Sequence, residues 1–186
     1  PGQAGLSERL MLRGETPENR RKKMGELCGA WDSCEILRAE APGLEDLSSG
    51  LRLECEGIMT NANFTAKWDR YSFRMDGPWE ESVPVLTATS RIHPLVFPFP
   101  RIDQNTIDVE TPPGYTTSEP PVVPPIESPY GNYALFITAS PTGYHVERVF
   151  SFAPVTVPAA EYEALRRFLT QVHQADRTAV EFRRIQ

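Results

Sequence analysis

Three cysteines and three histidines are the residues through which this chain could act as an enzyme or hold a metal. A cysteine nucleophile needs a base beside it and a third group to orient that base, and its thiolate is favoured at a helix N-terminus. Cys28 falls near the end of an expected helix, Cys34 precedes an expected strand, and Cys55 takes an inward-facing position in an alternating segment. All three read first as small buried side chains. Cys28 and Cys34 could pair in an oxidising compartment, a question that spacing alone leaves open. His93, His145 and His173 are spread over a loop, a strand and a helix end, no two have zinc-ligand spacing, and there is no Cys-x-x-Cys motif. Phosphate-cradling glycine loops, a dinucleotide fingerprint and a Gly-x-Ser-x-Gly elbow are all missing from the sequence. Asn63-Phe64-Thr65 is formally a glycosylation acceptor, of consequence only in a eukaryotic secretory setting. No catalytic, cofactor-binding or metal-binding residue set is expected.

The remaining composition describes what must position such residues. The chain has 186 residues, 25 acidic against 19 basic side chains, a net charge of -6 and 18 prolines. That length supports a self-sufficient core and a single domain over 1–186. The acidic excess offers no electrostatic footprint for nucleic acid or an anionic membrane, and no apolar run approaches the ~20 residues of a membrane span. The opening Pro1-Gly2-Gln3-Ala4-Gly5 carries neither an initiating Met nor a signal pattern. The chain is therefore expected to be a fragment of a longer polypeptide, with residues 1–14 a strand or linker from the preceding region.

Hydrophobic periodicity points to a mainly β, α+β fold: an antiparallel β-sandwich with two helices, the C-terminal one packed on a sheet. Leu6 to Arg13 is short and apolar and reads as a strand. A helix follows, with Thr16 as N-cap, Pro17 in the first turn, Glu18 at the positive end of the dipole, a stripe of Met24, Leu27 and Cys28, and Gly29 ending it. Beyond it the period is two. Leu51, Leu53 and Cys55 alternate with charged residues, Ala62 to Trp68 continue the pattern, and Tyr71, Phe73 and Met75 resume it in the other phase after a bend near Asp69-Arg70. Further strands are expected over Val85–Arg91, Asn105–Glu110, Asn132–Thr138, Tyr144–Ala153 and Ala179–Ile185. Pro158 opens the second helix, which runs to about Ala175 and presents Tyr162, Leu165, Phe168, Leu169 and Val172 on one face. Seven prolines between Thr111 and Pro129 confine that segment to a sheet edge or an extended surface connection, packed on its own domain through Tyr115, Val122, Val123 and Ile126.

The C-terminal third adds a resemblance. Val149-Phe150-Ser151-Phe152, the helix Val157 to Phe168, the turn Gln174-Ala175-Asp176-Arg177 and the strand Val180-Glu181-Phe182 follow one another in a characteristic order. Arg91-Ile92-His93-Pro94-Leu95 and Pro113-Gly114-Tyr115 lie upstream, as does Cys34-Glu35-Ile36-Leu37 followed by Gly43-Leu44-Glu45-Asp46-Leu47. Together they resemble the C-terminal β-rich domain of unknown function that follows a transglutaminase-like core in secreted bacterial multidomain proteins. The resemblance implies a periplasmic or cell-envelope location, a partner in the rest of the same polypeptide, and a non-catalytic accessory role. The core's Cys-His-Asp set cannot be carried over: Cys28 is at the wrong end of its helix, His93 lacks the aromatic setting, and no following Asp is identifiable. Two other readings stand beside it. One is an envelope module binding a glycan or peptide through Trp68, Trp79 or Tyr130. The other is a cryptic cysteine hydrolase centred on Cys28 or Cys34.

Overall fold

A computed structural model of the chain describes residues 3–28, 34–59, 64–67, 69–74, 79 and 82–185. The chain divides into two units, Pro1–Ala62 and Asn63–Gln186.

The first unit opens with helix α1 (Gln3–Arg13), not the expected strand. The apolar residues misled because the inward face is set by Arg9 and Leu12, three apart, whereas Leu6 and Leu10 point to solvent. The Arg9 guanidinium is buried and donates to the carbonyls of Gly43 (2.6 Å), Leu44 (2.9 Å), Asp46 (2.5 Å) and Ser49 (2.8 Å), so that the loop wraps around it. Helix α2 (Pro17–Cys28) begins where its signals place it. The Thr16 hydroxyl accepts the Asn19 N–H at 3.3 Å, which satisfies one of the unpaired amides of the first turn. Strands β1 (Cys34–Glu40) and β2 (Glu54–Met59) form a two-stranded antiparallel sheet. The strand expected from Leu51 starts only at Glu54, because Leu51 and Leu53 pack instead against a small core of Leu12, Met24 and Leu44.

The second unit is mainly β. Strands β3 (Phe64–Lys67) and β4 (Arg70–Arg74) flank the turn at Asp69. Then come β5 (Leu95–Val96), β6 (Arg101–Glu110), β7 (Tyr115–Thr117), β8 (Ile126–Ser128), β9 (Gly131–Ser140), β10 (Gly143–Phe152), β11 (Thr156–Val157), helix α3 (Tyr162–Asp176) after a 3₁₀ turn, and β12 (Ala179–Arg184). Two four-stranded antiparallel sheets result, ordered β6-β10-β9-β8 and β3-β4-β12-β7, plus a small β11–β5 pair. The proline-rich segment supplies β7 and β8, each at the edge of its sheet, where missing N–H donors cost no ladder bond. No strand forms over Val85–Arg91. That segment is held by a side chain: the Tyr162 hydroxyl donates to the Ala88 carbonyl at 2.7 Å.

Strand β10 organises the core. Tyr144, Val146, Arg148, Phe150 and Phe152 form its inward row, and every second residue points the other way. Helix α3 buries Tyr162, Leu165, Phe168, Leu169 and Val172, the stripe read from the sequence, with Phe168 stacked on Phe150 at 6.3 Å. The two sheets meet where the Tyr144 ring packs edge-on against Phe182 at 5.2 Å and its hydroxyl donates to the Glu181 carbonyl at 2.5 Å. Among the described residues no helix is long and apolar enough to cross a membrane.

Candidate functional site

The inner and outer faces of the β6-β10-β9-β8 sheet carry two different arrangements of polar groups. On the inner face Arg148 interrupts the apolar row of β10. Its side chain has no solvent exposure, and Asp176, the last residue of α3, is 3% exposed. Arg148 Nε donates to Asp176 Oδ1 at 2.7 Å and Nη2 donates to Oδ2 at 2.9 Å, the two-pronged geometry in which a guanidinium holds a carboxylate most firmly. Nη1 donates to Asn105 Oδ1 on β6 at 3.2 Å. The guanidinium lies over Trp79, Tyr133 and Phe150 at 5.2, 5.5 and 5.5 Å. Tyr133 also donates its hydroxyl to Asp176 Oδ1 at 2.9 Å, and burial, reinforced by that carboxylate, pushes the phenol far above its ordinary range. Arg148, Asp176 and Tyr133 are committed to one another. The cluster fastens the end of α3 to β6, β9 and β10, and it offers no free base or nucleophile.

Beside it on β6, Arg101 Nε and Asp103 Oδ2 stand 3.6 Å apart, an ion pair without a hydrogen bond. Burial raises the Asp103 carboxyl above its ordinary value, against the attraction of Arg101 and Arg148. Burial likewise lowers Arg101.

The outer face is exposed. Asp108, His145 and Thr138 lie side by side across β6, β10 and β9, and Thr106, Glu147 and Phe136 form the next row. Phe136 is 60% exposed and Ile102 70%, unusual for large apolar side chains on a regular strand. His145 Nδ1 is 2.6 Å from Asp108 Oδ1, and Nε2 is 3.3 Å from Glu147 Oε1. Both ring nitrogens are thus engaged. The bond to Asp108, then that to Glu147, raises the His145 pKa against an opposing desolvation. A raised pKa means that the protonated ring favours the folded state below the unfolded-state value near 6.5, and that this contribution is lost as pH rises through the folded value. An NMR titration should therefore place the His145 midpoint above 6.5, and Asp108→Asn should lower it. An unchanged midpoint in that variant would mean that the Asp108 contact does not form in solution.

The three histidines singled out by chemistry do not converge. His93 is exposed in an irregular segment, His145 is on the outer face, and His173 is on α3 with its Nε2 buried and unpartnered. Among the described residues no group of three or more His, Cys, Asp and Glu is placed to hold a metal ion. Cys55 is not a buried apolar side chain. It is exposed and disulfide-bonded, with its Sγ 3.9 Å from the Met24 carbonyl on α2. The side chains of Cys28 and Cys34 lie outside the described residues. Trp79 is 1% exposed and Tyr130 9%, the latter with its hydroxyl on Glu161 Oε2 at 3.2 Å, so neither presents a face to a sugar. Asn63, Trp68 and Met75 lie outside the described residues.

Arg148 was the signal that a search for catalytic motifs passes over: a charged residue in the inward parity of an otherwise apolar strand. Asp176 had no such mark, because it follows the apolar stripe of α3 and reads as part of a turn.

A family model, a Domain of Unknown Function with solved-structure structure (DUF3858), matches residues 62–182. No curated protein and no solved structure matches the chain.

Proposed function

Since the chain belongs to the DUF3858 family through residues 62–182, we propose that it is a non-catalytic accessory domain of a transglutaminase-like, papain-like bacterial protein, supporting the core or presenting substrate to it. The observation that carries this reading is the contrast between the two faces of the β6-β10-β9-β8 sheet. The inner polar groups are consumed in fastening α3. On the outer face Phe136 stands in water beside Glu147 and Ile102 stands in water opposite Ser151, large apolar side chains in a polar surround of the kind found where proteins touch. A disulfide at Cys55 suits an oxidising compartment and so supports a secreted, periplasmic or cell-envelope protein.

Adding a transglutaminase-like core encoded with this chain should perturb amide signals of Phe136, Thr106, Glu147 and their neighbours, and Phe136→Glu should abolish the effect. Amide hydrolysis or transfer by the purified chain alone would overturn the proposal. A glycan- or peptide-binding module is the second reading. Trp79 and Tyr130 are buried, so this reading turns to the outer face, where Phe136 is exposed.

A further inference from the structure

We propose that the Cys55 disulfide makes folding of the first unit conditional on an oxidising environment, so that reduction releases α2 and the β1–β2 sheet while the second unit stays folded. The first unit is small, Pro1–Ala62, and units of that size bury too little surface to be comfortably stable without a staple. Its buried apolar core among the described residues consists of Leu12, Met24 and Leu44. An isolated two-stranded sheet such as β1–β2 is marginal in water. Six of the twelve residues of α2 are charged, and Met24 is its one buried apolar side chain among the described residues. Apolar burial alone is therefore a weak hold on this helix. The Cys55 sulfur, which carries the disulfide, sits 3.9 Å from the Met24 carbonyl of this weakly held helix.

The first helix is held otherwise. Arg9 binds four carbonyls of the 43–49 loop and needs no cross-link to do so. Cys55 is exposed, which lets an attacking thiolate reach the bond. A dithiol of the compartment, or a dithiol oxidoreductase, attacks one sulfur to form a mixed disulfide. Its second thiolate then closes on the first, so that the protein gains two electrons and two protons as two thiols and the reductant leaves as a disulfide.

Hydrogen exchange on the full chain, with and without dithiothreitol, tests the idea, with complete reduction verified by mass. Amides of 17–28 and 34–59 should exchange roughly 100-fold faster after reduction, the factor expected from losing a cross-link of ordinary strength. Amides of 131–184 should keep their protection, and reoxidation should restore the slow pattern. Cys55→Ser should reproduce the reduced pattern without reductant. Unchanged protection of 17–28 and 34–59 in the fully reduced chain would overturn the proposal, as would equal loss in both units.

Discussion

Arg148→Met should lower the stability of the second unit by about 3–5 kcal/mol, although Met fills much of the same volume. The reason is the partner left behind. Asp176 is 3% exposed and loses both prongs of the guanidinium, keeping only the Tyr133 hydroxyl at 2.9 Å. An uncompensated buried carboxylate costs far more than the net worth of the intact pair, because the pair itself had to be desolvated. The double variant Arg148→Met/Asp176→Leu should therefore recover part of the loss, namely the cost of the unpaired carboxylate, while leaving the buried Tyr133 hydroxyl without its acceptor. Asn105 would lose one 3.2 Å bond, and three aromatic faces would lose their cation, effects of about 1 kcal/mol each. Urea unfolding followed by circular dichroism would measure both variants. A single variant within 1 kcal/mol of the parent, or a double variant no better than the single, would contradict this account of the cluster.

Gly131→Ala is expected to cost about 3 kcal/mol or more without removing any side-chain contact. Gly131 begins β9 opposite Phe152, the end of β10, at φ +152°. A Cβ built there would sit 1.9 Å from the Ser151 carbonyl oxygen and 2.8 Å from its carbon. Those atoms are backbone of the central strand, so they cannot swing aside as a side-chain tip would. Ladder bonds must stretch across the β9–β10 pair, and the inward row that receives α3 moves with them. Thermal unfolding provides the measurement. A shift under about 2 °C would show that the strand end is pliable and would contradict the clash argument.

Much of this architecture is legible in the sequence. Strands β9 and β10 declare themselves by strict alternation, and α3 by five apolar residues on one face, because a residue's burial there follows from its own element's period. The prolines declared edges for the same local reason, as each removes a donor at its own position. Helix α1 departs from the expected strand because its buried face depends on a loop some 35 residues further along, whose carbonyls make a site for Arg9. The alternating pattern around Cys55 carries no sign of its disulfide, because the partner of a sulfur is set by distant parts of the chain.

By itself, then, the amino-acid sequence determined a mainly β chain with a helix laid on a sheet, together with the lack of a recognisable catalytic motif. Those features are encoded in hydrogen-bonding capacity and side-chain period, which act over a few residues. Only the tertiary structure decided that Arg148 is spent on Asp176, that Trp79 and Tyr130 are withdrawn from solvent, and that Phe136 and Ile102 are left in it. Each of those outcomes depends on what the other strands and the helix bring to the same place, and a contact between residues 28 apart in the chain leaves no periodic trace in it.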